Sequence, residues 1–202
     1  FTPILPPMEH NKALYKASAR PGSVCVHVRR GDFLSNTYKK DFYVCTPEYF
    51  QKAIRVMCQR VKNPCFIFFS DDIEWVRKHL YVDGYPCFYE RGNDPAWEIM
   101  RLMSSCNHFI ISNSTFAWWA SYLGERKDKI IITPEHWYAN PKWHSNLPGG
   151  DEYIRLTIWE IRTSIAGANV FVKGTTARVP SPLKPLFQRF VIALRPCQDR
   201  AS

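Results

Sequence analysis

The chain has 202 residues, 46% of them hydrophobic, which is enough for one ordinary domain or one and a half, with a sizeable core, and excludes wholesale disorder. Its net charge is +9, but residues 157–202 carry seven Lys/Arg against Glu160 and Asp199, so +5 of that charge sits in one terminal stretch. A basic balance invites a nucleic-acid reading; with half the excess in that stretch and no nucleic-acid module elsewhere, none is assigned.

Residues 1–22 hold Pro3, Pro6, Pro7 and Pro21 and a short amphipathic piece around residues 12–20. They read as a linker, or as the end of a lobe that precedes this domain. Val24-Cys25-Val26-His27-Val28 is a short apolar run of the kind that forms a buried strand. Arg29-Arg30-Gly31-Asp32 follows without a spacer. Gly31 is expected to end the strand by taking backbone angles that other residues resist. Two guanidiniums at the carboxyl end of a strand suit an anion, because their forks match phosphate oxygens and because open α/β sheets bind ligands there. A solvated basic pair capping a strand is the other reading of these residues.

A polar loop, residues 33–45, carries aromatic and basic side chains. Thr46-Pro47-Glu48 starts a helix with a capping hydroxyl, a proline in the first turn and an acid near the positive end. It runs to about residue 61, with Phe50, Ala53, Ile54, Met57 and Val61 on one face, and Asn63-Pro64 breaks it. Residues 65–69 are an apolar strand, and Ser70-Asp71-Asp72 caps a helix over residues 73–80. Residues 85–89 form a third strand. Asp94-Pro95 opens a helix with Ile99, Leu102, Met103 and Cys106 at helical spacing. Residues 108–111 are a fourth strand. Asn113-Ser114-Thr115 caps a helix through Leu123 that stops at Gly124. Residues 129–133 are a fifth strand, ended by Pro134. After Trp137 the pattern degrades, and residues 157–202, with four prolines and no clean period, read as a divergent, disordered basic tail.

Strand and helix alternate five times, and the strands are continuous apolar runs. That pattern predicts an α/β fold with a Rossmann-like parallel sheet covered on both faces, over residues 23–156. There is no GxGxxG and no GxxxxGK[ST]. Three polar clusters follow strands: Arg29-Arg30-Gly31-Asp32, Ser70-Asp71-Asp72 and Asn113-Ser114-Thr115-Phe116. Loops after parallel strands share one edge, so the clusters should converge. A helix start at Ser114 and Thr115 offers unpaired N–H groups and a positive dipole end. With the arginines opposite, it makes a clamp for a diphosphate. Ordinary capping also accounts for Ser114 and Thr115, and is preferred for Asp71 and Asp72, which lack the spacer of a two-aspartate metal motif. Asn113-Ser114-Thr115 is formally a glycosylation sequon, expected to be unused at the base of a cleft. The seven cysteines form no CxxC pair, which argues against a zinc ribbon; Cys25, Cys65 and Cys106 lie in apolar runs as buried thiols. No run is long enough to span a membrane and no signal peptide is visible.

Four stretches carry a family resemblance: His27-Val28-Arg29-Arg30-Gly31-Asp32, Phe69-Ser70-Asp71-Asp72-Ile73-Glu74-Trp75-Val76, Leu102-Met103-Ser104-Ser105-Cys106-Asn107-His108, and Ile111-Ser112-Asn113-Ser114-Thr115-Phe116-Ala117-Trp118-Trp119. In order and spacing, over roughly residues 22–155, they resemble glycosyltransferase family 11, the α-1,2-fucosyltransferases. The resemblance is closer to bacterial-type members than to the vertebrate blood-group enzymes. It implies the C-terminal, donor-binding lobe of a glycosyltransferase B-type fold. It further implies inverting transfer of fucose from GDP-fucose to a galactose-terminated glycan, with no metal or other cofactor and no nucleic-acid partner. A membrane would be met only through an N-terminal anchor outside this sequence, placing a eukaryotic protein in the Golgi; a bacterial one would be cytoplasmic.

By that resemblance Arg29 is the catalytic residue. It would hold the β-phosphate and stabilise the leaving GDP where charge develops. Arg30 would support it, or fix the loop by pairing with Asp32. His27 would lie near the guanine or the phosphates, or be a satisfied buried histidine. Ser114, Thr115 and Phe116 would wrap the diphosphate, while Trp118 and Trp119 are read as core. Related enzymes carry an acid at the place of Ile99, where it accepts from guanine; here the neighbour Glu98 is the acid, 100° away on a helix. Family members also carry an N-terminal lobe, and only 26 residues precede His27. The alternative expectation is therefore a non-catalytic nucleotide-sugar or carbohydrate-binding remnant. The residues assign no general base.

Overall fold

Alternate residues of a strand point to opposite faces of its sheet, so a strand apolar throughout needs cover on both sides. The structure, a computed structural model, describes residues 4–124, 126–140, 143 and 153–156. Its strands are β1 (Ser23–Val28), β2 (Cys65–Ser70), β3 (Cys87–Tyr89), β4 (His108–Ile111), β5 (Ile131–Pro134) and β6 (Tyr153–Leu156). They form one sheet in the order β3-β2-β1-β4-β5-β6, with every neighbouring pair parallel. The helices are α1 (Lys12–Ser18), α2 (Pro47–Arg60), α3 (Ile73–His79), α4 (Ala96–Ser104) and α5 (Thr115–Leu123).

The two faces follow residue parity. Cys25, Ile67, Phe69, Phe109 and Ile111 pack with α1, α4 and α5. Val24, Val26, Val28, Phe66, Phe68 and Ile110 pack with α2 and α3. Each large side chain removed from water in this way contributes about 1.5–3 kcal/mol. The expected α/β, Rossmann-like parallel sheet is present. Cys25, Cys65 and Cys106 are buried free thiols.

Local chemistry sets most helix starts. The Thr46 hydroxyl accepts from Tyr49 N at 3.4 Å and Pro47 occupies the first turn, as expected. Asp72 caps α3 by accepting from Trp75 N at 3.2 Å. At α4 the helix opens directly after Asp94-Pro95, as expected, but without a side-chain cap: Pro95 is the N-cap residue and has no acceptor, and Asp94 accepts from His10 and Asn11.

Two further points concern the ends of the domain. Residues 1–22 read as a linker or as the end of a preceding lobe, with a short amphipathic piece at 12–20; that piece is α1, and with the turn Glu9–Asn11 it packs on the sheet, with Leu14 and Ala17 in the core. Buried Glu98 secures them by accepting from Met8 N at 3.0 Å and Asn11 Nδ2 at 3.1 Å. Pro134 is the last residue of β5, as expected, and lies opposite Leu156 of β6. That sixth strand is absent from the sequence reading, because Tyr153-Ile154-Arg155-Leu156 is short and carries a charge. The terminal stretch, residues 157–202, lies outside the described residues. No described helix is long and apolar enough to cross a membrane.

Candidate functional site

The sheet order reverses direction between β1 and β4, and chain leaving these two strands diverges to opposite sides. In open α/β sheets the crevice at that switch point holds the ligand. Here the two strands carry the arginine motif and the serine-threonine motif. Their ends are tied through one hydroxyl: Ser112 Oγ lies 3.0 Å from His27 Nδ1 and accepts from the Arg29 backbone N at 3.2 Å. Ser112 N also donates to the His27 carbonyl at 3.1 Å. Burial, then the Arg29 charge, push the His27 pKa down to about 3, so the ring is neutral. His27 is thus both a satisfied buried histidine and a residue of the cleft wall.

Arg29 faces the cleft, with its guanidinium between two carboxylates: Nη2 is 2.8 Å from Asp32 and Nη1 is 2.9 Å from Asp71. Two ion pairs occupy two of its five N–H donors and leave three for a ligand. The expected pairing of Arg30 with Asp32 is not formed; Asp32 belongs to Arg29. Arg30 turns towards α3, where its Nε is 3.2 Å from Asp72 and its guanidinium stacks 3.7 Å above the Trp75 ring. It is not among the residues that line the cleft. Asp71 is not a helix cap either, because its carboxylate binds Arg29 on one oxygen and Arg30 N, at 2.9 Å, on the other. Gly31 is needed for close approach and not for a left-handed backbone, since a Cβ there would stand 2.6 Å from Asp71 Oδ2.

Across the crevice α5 begins. Ser114 is its N-cap residue, but its hydroxyl makes no capping bond, contrary to the capping expected of it. The first turn of α5 therefore presents its N–H groups and positive dipole end without a side-chain acceptor from the N-cap. Ser114, Thr115 and Phe116 all line the cleft beside His27, whose ring lies 6.3 Å from that of Phe116. Asn113 is buried; its amide donates to the carbonyls of Tyr43 at 2.8 Å and Trp137 at 2.7 Å. Cys45 Sγ donates to the Asn113 oxygen at 3.6 Å, and burial pushes that thiol's pKa up to about 12. Trp118 is buried in the core, as expected, and Trp119 packs against it.

The cleft measures about 550 Å³, within the range of small-molecule sites. Beyond Arg29 it reaches Phe69, Ser70, Ile99 and the segment after β3. Aromatic rings line another part of it. Phe33 stacks on Phe42 at 4.7 Å between centroids, and Phe42 meets Tyr138 at 5.5 Å. Sequence reasoning flagged the aromatic content of residues 33–45 without placing it there.

Glu90 was missed altogether. It is buried, lines the cleft, and accepts from Gly92 N at 2.8 Å through Oε2, while Oε1 is buried without a side-chain hydrogen bond among the described residues. Gly92 makes this turn at φ +86°, a left-handed conformation that favours glycine. Burial, with the nearby Asp94 charge, raises the Glu90 pKa. The available signal was a fourth polar group directly after a strand, on the edge that already held three.

Fold and cleft together define a Rossmann-like α/β domain with an arginine and a helix start facing each other at its switch point. The chain belongs to glycosyl transferase family 11, whose family model matches residues 11–155. It is 33% identical over 160 residues to an alpha-1,2-colitosyltransferase of Escherichia coli, covering 77% of this chain and 54% of that protein. Against the O-antigen biosynthesis glycosyltransferase WbnK of Escherichia coli it is 34% identical over 122 residues, 56% of this chain and 38% of WbnK. Against the galactoside 2-alpha-L-fucosyltransferase Sec1 of Mus musculus it is 38% identical over 104 residues, 50% of this chain and 28% of Sec1. The chain thus matches about half or less of the length of these relatives. No solved structure matches it.

Proposed function

We propose that this chain is the donor-binding part of a galactoside 2-α-L-fucosyltransferase, and that its cleft holds GDP-fucose. The observation that carries the reading is the clamp across β1 and β4: Arg29 on one side, the start of α5 on the other, and Ser112 joining them. The leaving group of the transfer is a diphosphate. Negative charge grows on it as the fucosyl bond breaks, so fixed donors aimed at that place stabilise the transition state more than the ground state. Arg29 supplies up to three N–H donors, and the α5 N-terminus supplies backbone N–H groups and its dipole. In this proposal arginine does the work that a metal does in other transferases. Asp32 and Asp71 hold the guanidinium in place, while Arg30 anchors the same loop to α3. A glycan ending in galactose is the acceptor.

Incubation with GDP-fucose and a β-galactoside should release GDP and give a fucosylated product, undiminished by EDTA. GDP should protect the chain against heat, and Arg29→Ala should abolish that protection. If Arg29→Ala bound GDP as well as wild type, the role given to Arg29 would be wrong. Binding without turnover would support the non-catalytic remnant instead. A colitosyl donor is the second substrate to test, because the relative that matches 77% of this chain is named for that sugar.

A further inference from the structure

The loop that follows β1 and the segment that follows β5 meet at the cleft. Ala139 N donates to the Asp41 carbonyl at 2.8 Å, and Phe42 pairs with Tyr138 as an antiparallel bridge. This pairing sets four rings side by side in the lining: Phe33, Tyr38, Phe42 and Tyr138. Phe42 is the hub, with its ring 4.7 Å from Phe33, 5.5 Å from Tyr138 and 6.3 Å from Tyr38. Trp143 extends the row beyond the cleft, edge-on to Tyr138 at 5.5 Å. Rings that only fill a core are sealed, as Phe50 and Phe66 are. Here Tyr38 keeps 43% of its surface exposed and Trp143 keeps 39%.

The row starts at the anion clamp, because the Arg29 guanidinium lies 5.7 Å from the centre of the Phe33 ring. It then runs towards the β5 side of the switch point, while Phe69 ends β2 on the opposite side. A nucleotide on the β2 side and a second ligand on the β5 side would therefore meet at Arg29. Beyond Arg29 and Asp32, the lining on the β5 side is aromatic and uncharged. That suits a neutral ligand with one apolar face. A β-galactoside has such a face: its axial O4 gathers H3, H4 and H5 into one patch. In a β-glucoside O4 is equatorial, and H4 lies on the face opposite H3 and H5. A glycan longer than the cleft must also leave it, and exposed Tyr38 and Trp143 mark a way out.

We propose that this row of rings is the acceptor subsite, with Tyr38 and Phe42 packing against the apolar face of a terminal β-galactose and holding its hydroxyls towards a donor at Arg29. The assignment rests on the donor reading of the cleft.

The test is saturation-transfer NMR on the full chain with methyl β-galactoside and with methyl β-glucoside, in wild type, Tyr38→Ala and Phe42→Leu. Melting and GDP affinity are recorded for each. Tyr38 is exposed, so its replacement leaves the core intact. In wild type, H3, H4 and H5 of the galactoside should take up most of the saturation, and the glucoside should take up less. Each variant should weaken galactoside binding about threefold to tenfold, the size of one lost ring contact, while GDP affinity stays within about twofold of wild type. Galactoside contact that survives unchanged in both variants overturns the assignment, and so does a wild type that binds GDP but not the galactoside. Loss of GDP affinity in both folded variants also overturns it, because the rings would then hold the nucleoside. A wild type that does not bind GDP overturns the donor reading, and the acceptor assignment falls with it. That failure is distinguishable, because it shows before any substitution is made.

Discussion

Ser112 Oγ lies 3.0 Å from His27 Nδ1, so the end of β4 holds a buried imidazole of β1. The same hydroxyl accepts from the Arg29 backbone N at 3.2 Å. One side chain therefore sets both the ring and the start of the arginine loop. Ser112→Ala should leave two polar groups without partners, each costing about 1–3 kcal/mol. Urea unfolding would show it as a lower midpoint with an unchanged slope. A wild-type midpoint would mean that the hydroxyl is not a structural tie.

His27 makes stability depend on pH. Its folded pKa is about 3, against about 6.5 for a free histidine. Below pH 6.5 the unfolded chain takes up a proton that the folded chain refuses. Stability from this group is thus complete above pH 6.5 and is lost as pH falls towards 3, by at most about 1.4 kcal/mol per pH unit. In His27→Gln the difference in Tm between pH 7.5 and pH 4.5 should shrink. An undiminished difference would remove His27 as its source.

Gly31→Ala should act on Arg29 without touching it. The new Cβ would stand 2.6 Å from Asp71 Oδ2 and push that carboxylate off the guanidinium. That oxygen ends a side chain that can turn aside, so melting should fall by less than the roughly 1–3 kcal/mol typical of an overpacked core, while protection by GDP should weaken although Arg29 is intact. Full protection would show that Asp71 does not position Arg29.

Arg29→Lys keeps the charge and removes the fork that meets Asp32 and Asp71. If the planar guanidinium aims several donors at the leaving diphosphate, fucosyl transfer should drop by about 10²–10³, the cost of removing one such donor elsewhere. Retention of the rate would reduce Arg29 to a point charge.

Glu98→Ala removes the acceptor shared by Met8 N and Asn11 Nδ2 and leaves Arg101 without its carboxylate. Breaking a buried pair from one side costs about 3–5 kcal/mol. Residues 9–18 should become open to protease before the sheet does. If the N-terminal segment stayed protected, its anchoring would lie with Leu14 and Ala17 alone.

The sheet and its ligand edge were legible because they rest on local rules. Apolar runs at 24–28, 65–69 and 108–111 have no use outside a doubly covered sheet, and the polar residues just past them share an edge by topology. What escaped depends on partners distant in sequence. β6 is a strand only because β5 pairs with it. Asp71 looks like a cap until the fold brings Arg29 to it, 42 positions from its own. Asp32 could have served either arginine, and spacing does not decide between them. Glu90 follows a three-residue strand, too short to draw attention to what comes next. Glu98 and Ile99 differ by one helical step, and only the packing of α4 shows that the apolar one faces the cleft.

Asn113 gives its sequon a meaning in time. Both amide hydrogens are committed to the carbonyls of Tyr43 and Trp137, and the side chain is 2% exposed. An oligosaccharide can be attached there only while the chain is still unfolded, and once attached it forbids the closed structure around β4. In a cell that glycosylates asparagine, folding and sugar transfer thus compete for the same nitrogen. A glycan found on Asn113 would mark a molecule that lost the race to fold.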